Sequence, residues 1–180
     1  EDVQKLINFH IKHEGISRLK KIEHFYNKVL KKEISDKDLK LKSKHFSSLV
    51  MNKVIACKKV KGVRKFLISN SDKYKYFIST GTPTEEIKII LKETKMYNFF
   101  QEIYGSPGTK IEHISKIIQE NNFNQDSLVF IGDSNTDLLA AEHCKIKFIL
   151  RSHKFNKEID CSFGGVKFRD FYQLQEYLDN

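Results

Sequence analysis

The stretch Val129-Phe130-Ile131-Gly132-Asp133-Ser134-Asn135-Thr136-Asp137 decides how this chain is read. An apolar run, entered from Leu128, is cut short by Gly-Asp, which is the grammar of a buried strand ending at a turn. Ser134 or Asn135 then stands where a helix cap is wanted, ahead of Leu138, Leu139 and Ala141. Asp137 taken alone is an acid favoured by the positive end of a helix. Asp133 is harder to explain structurally, because it puts a charge at the mouth of a buried strand. Two carboxylates facing one crevice suit a hard cation such as magnesium, which takes oxygen ligands and keeps several waters.

Working outward, short β-rich runs alternate with amphipathic helices from about Lys61 onward. The runs are Tyr74 to Ser79, Ile103-Tyr104, Leu128 to Ile131 and Lys147 to Leu150, and such alternation predicts an α/β fold with a parallel sheet covered by helices. Thr82-Pro83-Thr84-Glu85 predicts a helix with Thr82 as cap and Pro83 at its first position, and Thr109-Lys110-Ile111-Glu112 reads as a capping box. Asn156 to Gly165 reads as loop before a last strand and helix.

In an open parallel sheet, ligands collect where strand carboxyl ends meet helix amino ends. Phe77-Ile78-Ser79-Thr80-Gly81 ends a strand there, so the Thr80 hydroxyl and backbone N–H groups near Gly81 can hold a phosphoryl oxygen. Lys110 opens its own helix and reaches the same crevice as a point charge. Singly, Thr80 reads as a turn residue and Lys110 as a solvated one; together with Asp133 and Asp137 they make a far more specific set.

The first third is different. Leu19, Ile22, Phe25, Tyr26, Val29 and Leu30 recur at helical spacing, and Ser35 with Asp38 resembles a helix start, which predicts a small helical bundle over residues 1–62 ahead of an α/β core over 63–180. The net charge of +9 lies wholly in that bundle: residues 1–62 carry 16 Lys and Arg against 7 Asp and Glu, and residues 63–180 carry 16 of each. No aromatic-and-basic module or zinc finger accompanies the charge, which argues against nucleic acid. Apolar runs fall well short of the ~20 residues of a membrane span. Cys57, Cys144 and Cys161 share no ligand spacing and suit reduced packing thiols in the cytoplasm.

The order Thr80, Lys110, then Gly132-Asp133 with Asp137, behind a helical segment, resembles the haloacid dehalogenase (HAD) superfamily over nearly the whole chain. The first third is similar to the small cap of its phosphoglycolate-phosphatase-like and phosphoglucomutase-like members. The resemblance implies a HAD-like Rossmannoid core and a phosphomonoester hydrolase with a small phosphorylated substrate, a phosphosugar mutase being the alternative. It implies that Thr80 binds the transferred phosphoryl group, Lys110 neutralises nucleophile and phosphate, and Asp133 is the principal Mg2+ ligand with Asp137 in support. Gly15-Ile16-Ser17-Arg18 is also similar to the mutases' specificity loop, which implies that Arg18 grips the substrate; an arginine can clamp phosphate through paired hydrogen bonds.

One departure is large. The family's first motif, an apolar strand ending in Asp-x-Asp, supplies the nucleophile and is not found here. Asp36-Lys37-Asp38 has the spacing but follows a polar stretch and reads as a helix start. The chain opens on Glu1-Asp2-Val3-Gln4 without methionine, so the expectation is a truncated enzyme, inactive as it stands, whose central strand lies upstream. The other reading is a phosphate-binding or interaction protein that truly lacks the nucleophile. A P-loop at Gly105 to Lys110 fails because Thr109 precedes the lysine, and receiver domains place their acidic pair first in the chain.

Overall fold

A computed structural model describes residues 1–13 and 15–180. The amino-terminal third is helical. It comprises α1 (Asp2–Lys12), α2 (Arg18–His24) running into a π-helical segment Phe25–Leu30, and α3 (Asp36–Ala56). Ser17 and Ser35 cap α2 and α3 by accepting the N–H of Lys20 and of Asp38, so Asp36-Lys37-Asp38 is indeed a helix start. Phe9 stacks on His24 with ring centroids 3.5 Å apart, tying α1 to the end of α2.

From residue 63 helices and strands alternate: α4 (Val63–Ser69), β1 (Tyr76–Pro83), α5 (Thr84–Glu93), β2 (Phe100–Ser106), α6 (Lys110–Asn121), β3 (Val129–Gly132), α7 (Asn135–His143), β4 (Lys147–Arg151), α8 (Lys157–Ser162), β5 (Lys167–Phe168) and α9 (Phe171–Asp179). Each strand pairing is parallel. β4 shows why helices must cover both faces. Its Ile149 packs with Phe66, Phe168 and Leu174, whereas Phe148 and Leu150 pack with Ala141 and Ile159 on the other side. A parallel strand buried on both faces needs this unbroken apolar run.

Several expectations need correction. β1 continues through Pro83, which itself caps α5, so Thr82 is not the cap and Pro83 is not the first helical residue. The stretch expected to be loop between Asn156 and Gly165 contains α8, held by burial of Ile159. Only Cys144 is a packing residue, since Cys57 and Cys161 are exposed.

The sheet is split in two. β1 pairs with β2, and β3 with β4 and β5, while β1 and β3 do not pair with each other. β3 carries the mark of this. Val129 and Ile131 are 43% and 37% exposed, although Ile131 sits beside the fully buried Ile149 in the pairing register. The carboxyl ends of β1 and β3 nevertheless border the same cavity.

Candidate active site

Thr80, Gly81, Lys110, Asp133 and Asp137 line one cavity of about 310 Å³ at the carboxyl end of β1 and β3. Helix capping puts two of them there. In α6, Thr109 accepts the Glu112 N–H at 3.2 Å while the Thr109 N–H donates to Glu112 at 2.6 Å, and this reciprocal cap sets Lys110 at the first helical position. In α7, Ser134 and Asp137 form the matching box. Asp137 Oδ2 accepts from the backbone N–H of Ser134 at 3.0 Å and of Asp133 at 3.2 Å, and from the Ser134 hydroxyl at 2.6 Å. Its Oδ1 is ion-paired to Lys110 Nζ. That ammonium also donates to Thr136 Oγ1 at 2.9 Å and to Ser134 Oγ at 3.2 Å. A buried cation surrounded by acceptors in this way is held in place.

Asp133 is differently situated. Its side chain is half exposed, with Arg151 Nη1 at 4.0 Å and His153 Nε2 at 3.3 Å. The His153 approach lacks hydrogen-bond alignment, since Nε2 is left without a partner. The loop is fixed instead through backbone, by Asn156 Nδ2 donating to the carbonyl oxygens of Asp133 and Arg151 at 2.8 and 2.9 Å. The Asp133 carboxylate, facing the cavity and only loosely paired, fits a magnesium ion that takes one or two carboxylates and fills its shell with water and phosphate oxygens. Asp137, with both oxygens engaged, fits a supporting place behind it. Among the described residues no group of three or more His, Cys, Asp and Glu is gathered to hold a metal by protein side chains alone.

Thr80 Oγ1 accepts the Thr82 N–H at 3.2 Å, within the part of β1 where its register with β2 breaks between Ser79 and Pro83. Beside it, Ser79 Oγ lies 2.9 Å from His113 Nδ1, and burial lowers the His113 pKa, favouring the neutral imidazole.

Arg18 lies outside this cavity. Its Nη1 and Nη2 donate to the Glu86 carboxylate of α5 at 2.8 and 2.9 Å, and Nη1 also donates to Ser47 Oγ at 2.5 Å. The Phe46 ring stacks 4.5 Å from the guanidinium. Burial alone would push the Glu86 carboxyl up, but hydrogen bonds from Arg18 and Ser47 together with the Arg18 charge outweigh it and hold the group below its ordinary value. In this structure Arg18 thus ties α2, α3 and α5 together, while also lining a second cavity on the helical side.

The sequence offered Gly15 only as the first residue of the Gly15-Ile16-Ser17-Arg18 match, with no role of its own. Gly15 has φ +84°, and a Cβ there would collide with the hydroxyls of Thr136 and Ser134, while Gly81 in turn faces the carbonyl oxygens of Gly15 and Ile16. Gly15 thus lies directly against the group of hydroxyls that holds the lysine. Only the glycine itself hinted at such an approach. Asn156 and Glu86, whose partners are distant in sequence, left no signal at all.

The comparisons bear on the family and the fold. No curated protein matches the chain by sequence. Residues 3–151 match the haloacid dehalogenase-like hydrolase family. Among solved structures, a protein from Clostridium acetobutylicum described as a predicted phosphatase superposes with a TM-score of 0.76 at 18% identity, covering 99% of this chain and 88% of that one. One from Haemophilus somnus, described as a predicted phosphoglycolate phosphatase, gives 0.75 at 18% identity, with 95% and 81% covered. The HAD hydrolase YfnB of Bacillus subtilis, solved bound to magnesium, gives 0.68 at 14% identity, with 99% and 79% covered. At these identities the superpositions establish a common fold. The family match over five-sixths of the chain goes further: this protein belongs to the haloacid dehalogenase-like hydrolases.

Proposed function

We propose that this chain supplies the phosphate side of a magnesium-dependent phosphomonoesterase that works through an aspartyl-phosphate, with residues 1–62 as its cap and 63–180 as its core. The observation that carries the reading is the convergence of Thr80, Lys110 and Asp133 on one cavity, with Lys110 fixed from behind by Asp137. In this reading the Thr80 hydroxyl and the Gly81 N–H bind phosphoryl oxygens. Lys110 offsets the charge shared by phosphate and nucleophile, and Ser134, Thr136 and Asp137 aim its ammonium. Asp133, supported by Asp137, holds the Mg2+, which when bound neutralises charge on the transferring phosphoryl group.

The nucleophile and the acid that protonates the leaving oxygen would come from a strand ending in Asp-x-Asp, seated between β1 and β3. The unpaired edges of those strands and the exposed Val129 and Ile131 support that place. Attack of the carboxylate on phosphorus would break the P–O ester bond and release the alcohol with the acid's proton; water would then hydrolyse the aspartyl-phosphate.

The test is hydrolysis of a series of phosphomonoesters by the full-length protein, with magnesium and with chelator. Hydrolysis should require magnesium, and Asp133→Asn should lower kcat/KM by at least about a hundredfold, the scale expected for loss of a ligand to a catalytic ion. Undiminished turnover in Asp133→Asn, or in chelator, would overturn the assignment.

A further inference from the structure

A second cavity, of about 750 Å³, adjoins the phosphate crevice on the side of the helical third, and the two share Gly15, Thr80 and Gly81 as lining. Its wall is apolar and in part aromatic, formed by Ile7, Ile16, Ile22, Phe25, Phe46 and Leu49. Three of these, Ile7, Phe46 and Leu49, are large side chains left 43%, 47% and 61% exposed. Apolar side chains in this number, gathered around one concavity, mark a ligand or interaction surface.

We propose, on the basis of the phosphatase reading above, that this cavity holds the organic group of the substrate, and that the group is a bulky, apolar aromatic ring system. Three observations select it. The cavity adjoins the crevice at Thr80 and Gly81, so the ester oxygen of a phosphate bound there has the cavity as its neighbour on that side. Its volume lies within the range of drug-sized ligand pockets, and a two- or three-carbon alcohol would leave most of the apolar wall wet. Finally, two of the cations that line the cavity are engaged within the protein, Arg18 with the Glu86 carboxylate and Lys21 with His10 at 3.0 Å. Lys42 and His45 border the cavity and are themselves exposed, which places polar edge groups of the ring system toward solvent.

The experiment compares 1-naphthyl phosphate with glycerol 3-phosphate as substrates of the full-length protein, and titrates inorganic phosphate as a competitive inhibitor. Burial of a bicyclic ring should favour the naphthyl ester in kcat/KM by roughly tenfold or more at ~25 cal/mol per Å² of apolar surface. Leu49→Glu, which charges the cavity wall, should collapse that ratio. Leu41→Glu should leave it alone, since Leu41 is an exposed residue of the same helix outside the cavity. Hydrolysis of both esters at equal rates, or a preference for glycerol phosphate, would overturn the proposal and leave the phosphatase reading standing. Absence of hydrolysis of either ester, together with no binding of inorganic phosphate by calorimetry, would take down both. Because naphthol is intrinsically the better leaving group, the ratio is read against the Leu41→Glu control, and Ile7→Ser, a second change in the cavity wall, serves if the Leu49 variant does not fold.

Discussion

At the scale of single residues, the site depends on close approaches that tolerate no added atom. Gly15 has a left-handed backbone and lies against the Thr136 and Ser134 hydroxyls, with Lys110 Nζ 3.0 Å from where its Cβ would be. Gly81 is tight in a milder way, its added Cβ standing 3.2 Å from two carbonyl oxygens of the facing turn. Gly15→Ala should therefore be the harsher change. It combines backbone strain of about 1–3 kcal/mol with displacement of the hydroxyls that aim Lys110, and should lower kcat/KM at least tenfold; Gly81→Ala should cost less on both counts. Steady-state kinetics and thermal melts of the two variants check this ordering, and a Gly15→Ala protein that melts and turns over like the parent would contradict it. The sequence made Lys110, Asp133 and Asp137 legible because each sits beside a strand end or at a helix start, and Thr80 because it follows the last regularly paired residue of β1, Ser79. It could not reveal that Asp137 gives both oxygens to protein partners, since the Lys110 pairing is made across 27 positions of sequence and depends on how α6 packs on α7.

At the scale of elements, helix starts were read well where a side chain does the capping, as at Ser35, Thr109 and Ser134, and less well at α5, where β1 runs on to Pro83. The link between the helical third and the core was not legible, because Arg18, Ser47 and Glu86 come from three separate elements. This buried clasp has a testable energetic signature. Removing one partner strands the other charge, so Arg18→Met should cost about 3–5 kcal/mol, whereas replacing both by apolar residues of similar size, Arg18→Met with Glu86→Leu, should recover much of the loss. Denaturant titration of the two variants reads this directly, and equal losses in both would argue against a charge-driven clasp. The clasp also sets a pH dependence. The folded carboxyl of Glu86 is held below its ordinary value, so its contribution is fully present above the unfolded carboxyl pKa and is lost as pH falls through the lower, folded one. Acid should therefore weaken the parent more steeply than the doubly apolar variant, in the range from the ordinary glutamate pKa downward.

At the scale of the whole molecule, the periodicity that announced a parallel sheet also exposed its defect, because a run such as Val129-Phe130-Ile131 is wasted unless both faces and both edges are covered. Phe130 is covered, packing with Phe148 and with the cluster of Ile114, Ala140 and Cys144. Val129 and Ile131 remain open beside the unpaired edge of β3. Full burial of such a side chain contributes about 1.5–3 kcal/mol, and each additional strand pairing satisfies backbone groups that otherwise stay available to another chain. Against the ~5–15 kcal/mol by which a typical domain is stable, those missing contributions are large. Residues 1–180 alone should accordingly be only marginally stable, prone to edge-to-edge association, and without phosphatase activity. A longer chain that carries an apolar strand ending in Asp-x-Asp ahead of residue 1 should gain stability, become monomeric and acquire turnover together. The denaturant m-value should rise with it, since more surface is buried in one cooperative unit. Sedimentation, denaturant unfolding and ester hydrolysis on the two chains test the three gains separately. If residues 1–180 alone give a monomer with a steep unfolding transition and turn over substrate, then β1 and β3 need no strand between them and the nucleophile must lie among the residues described here.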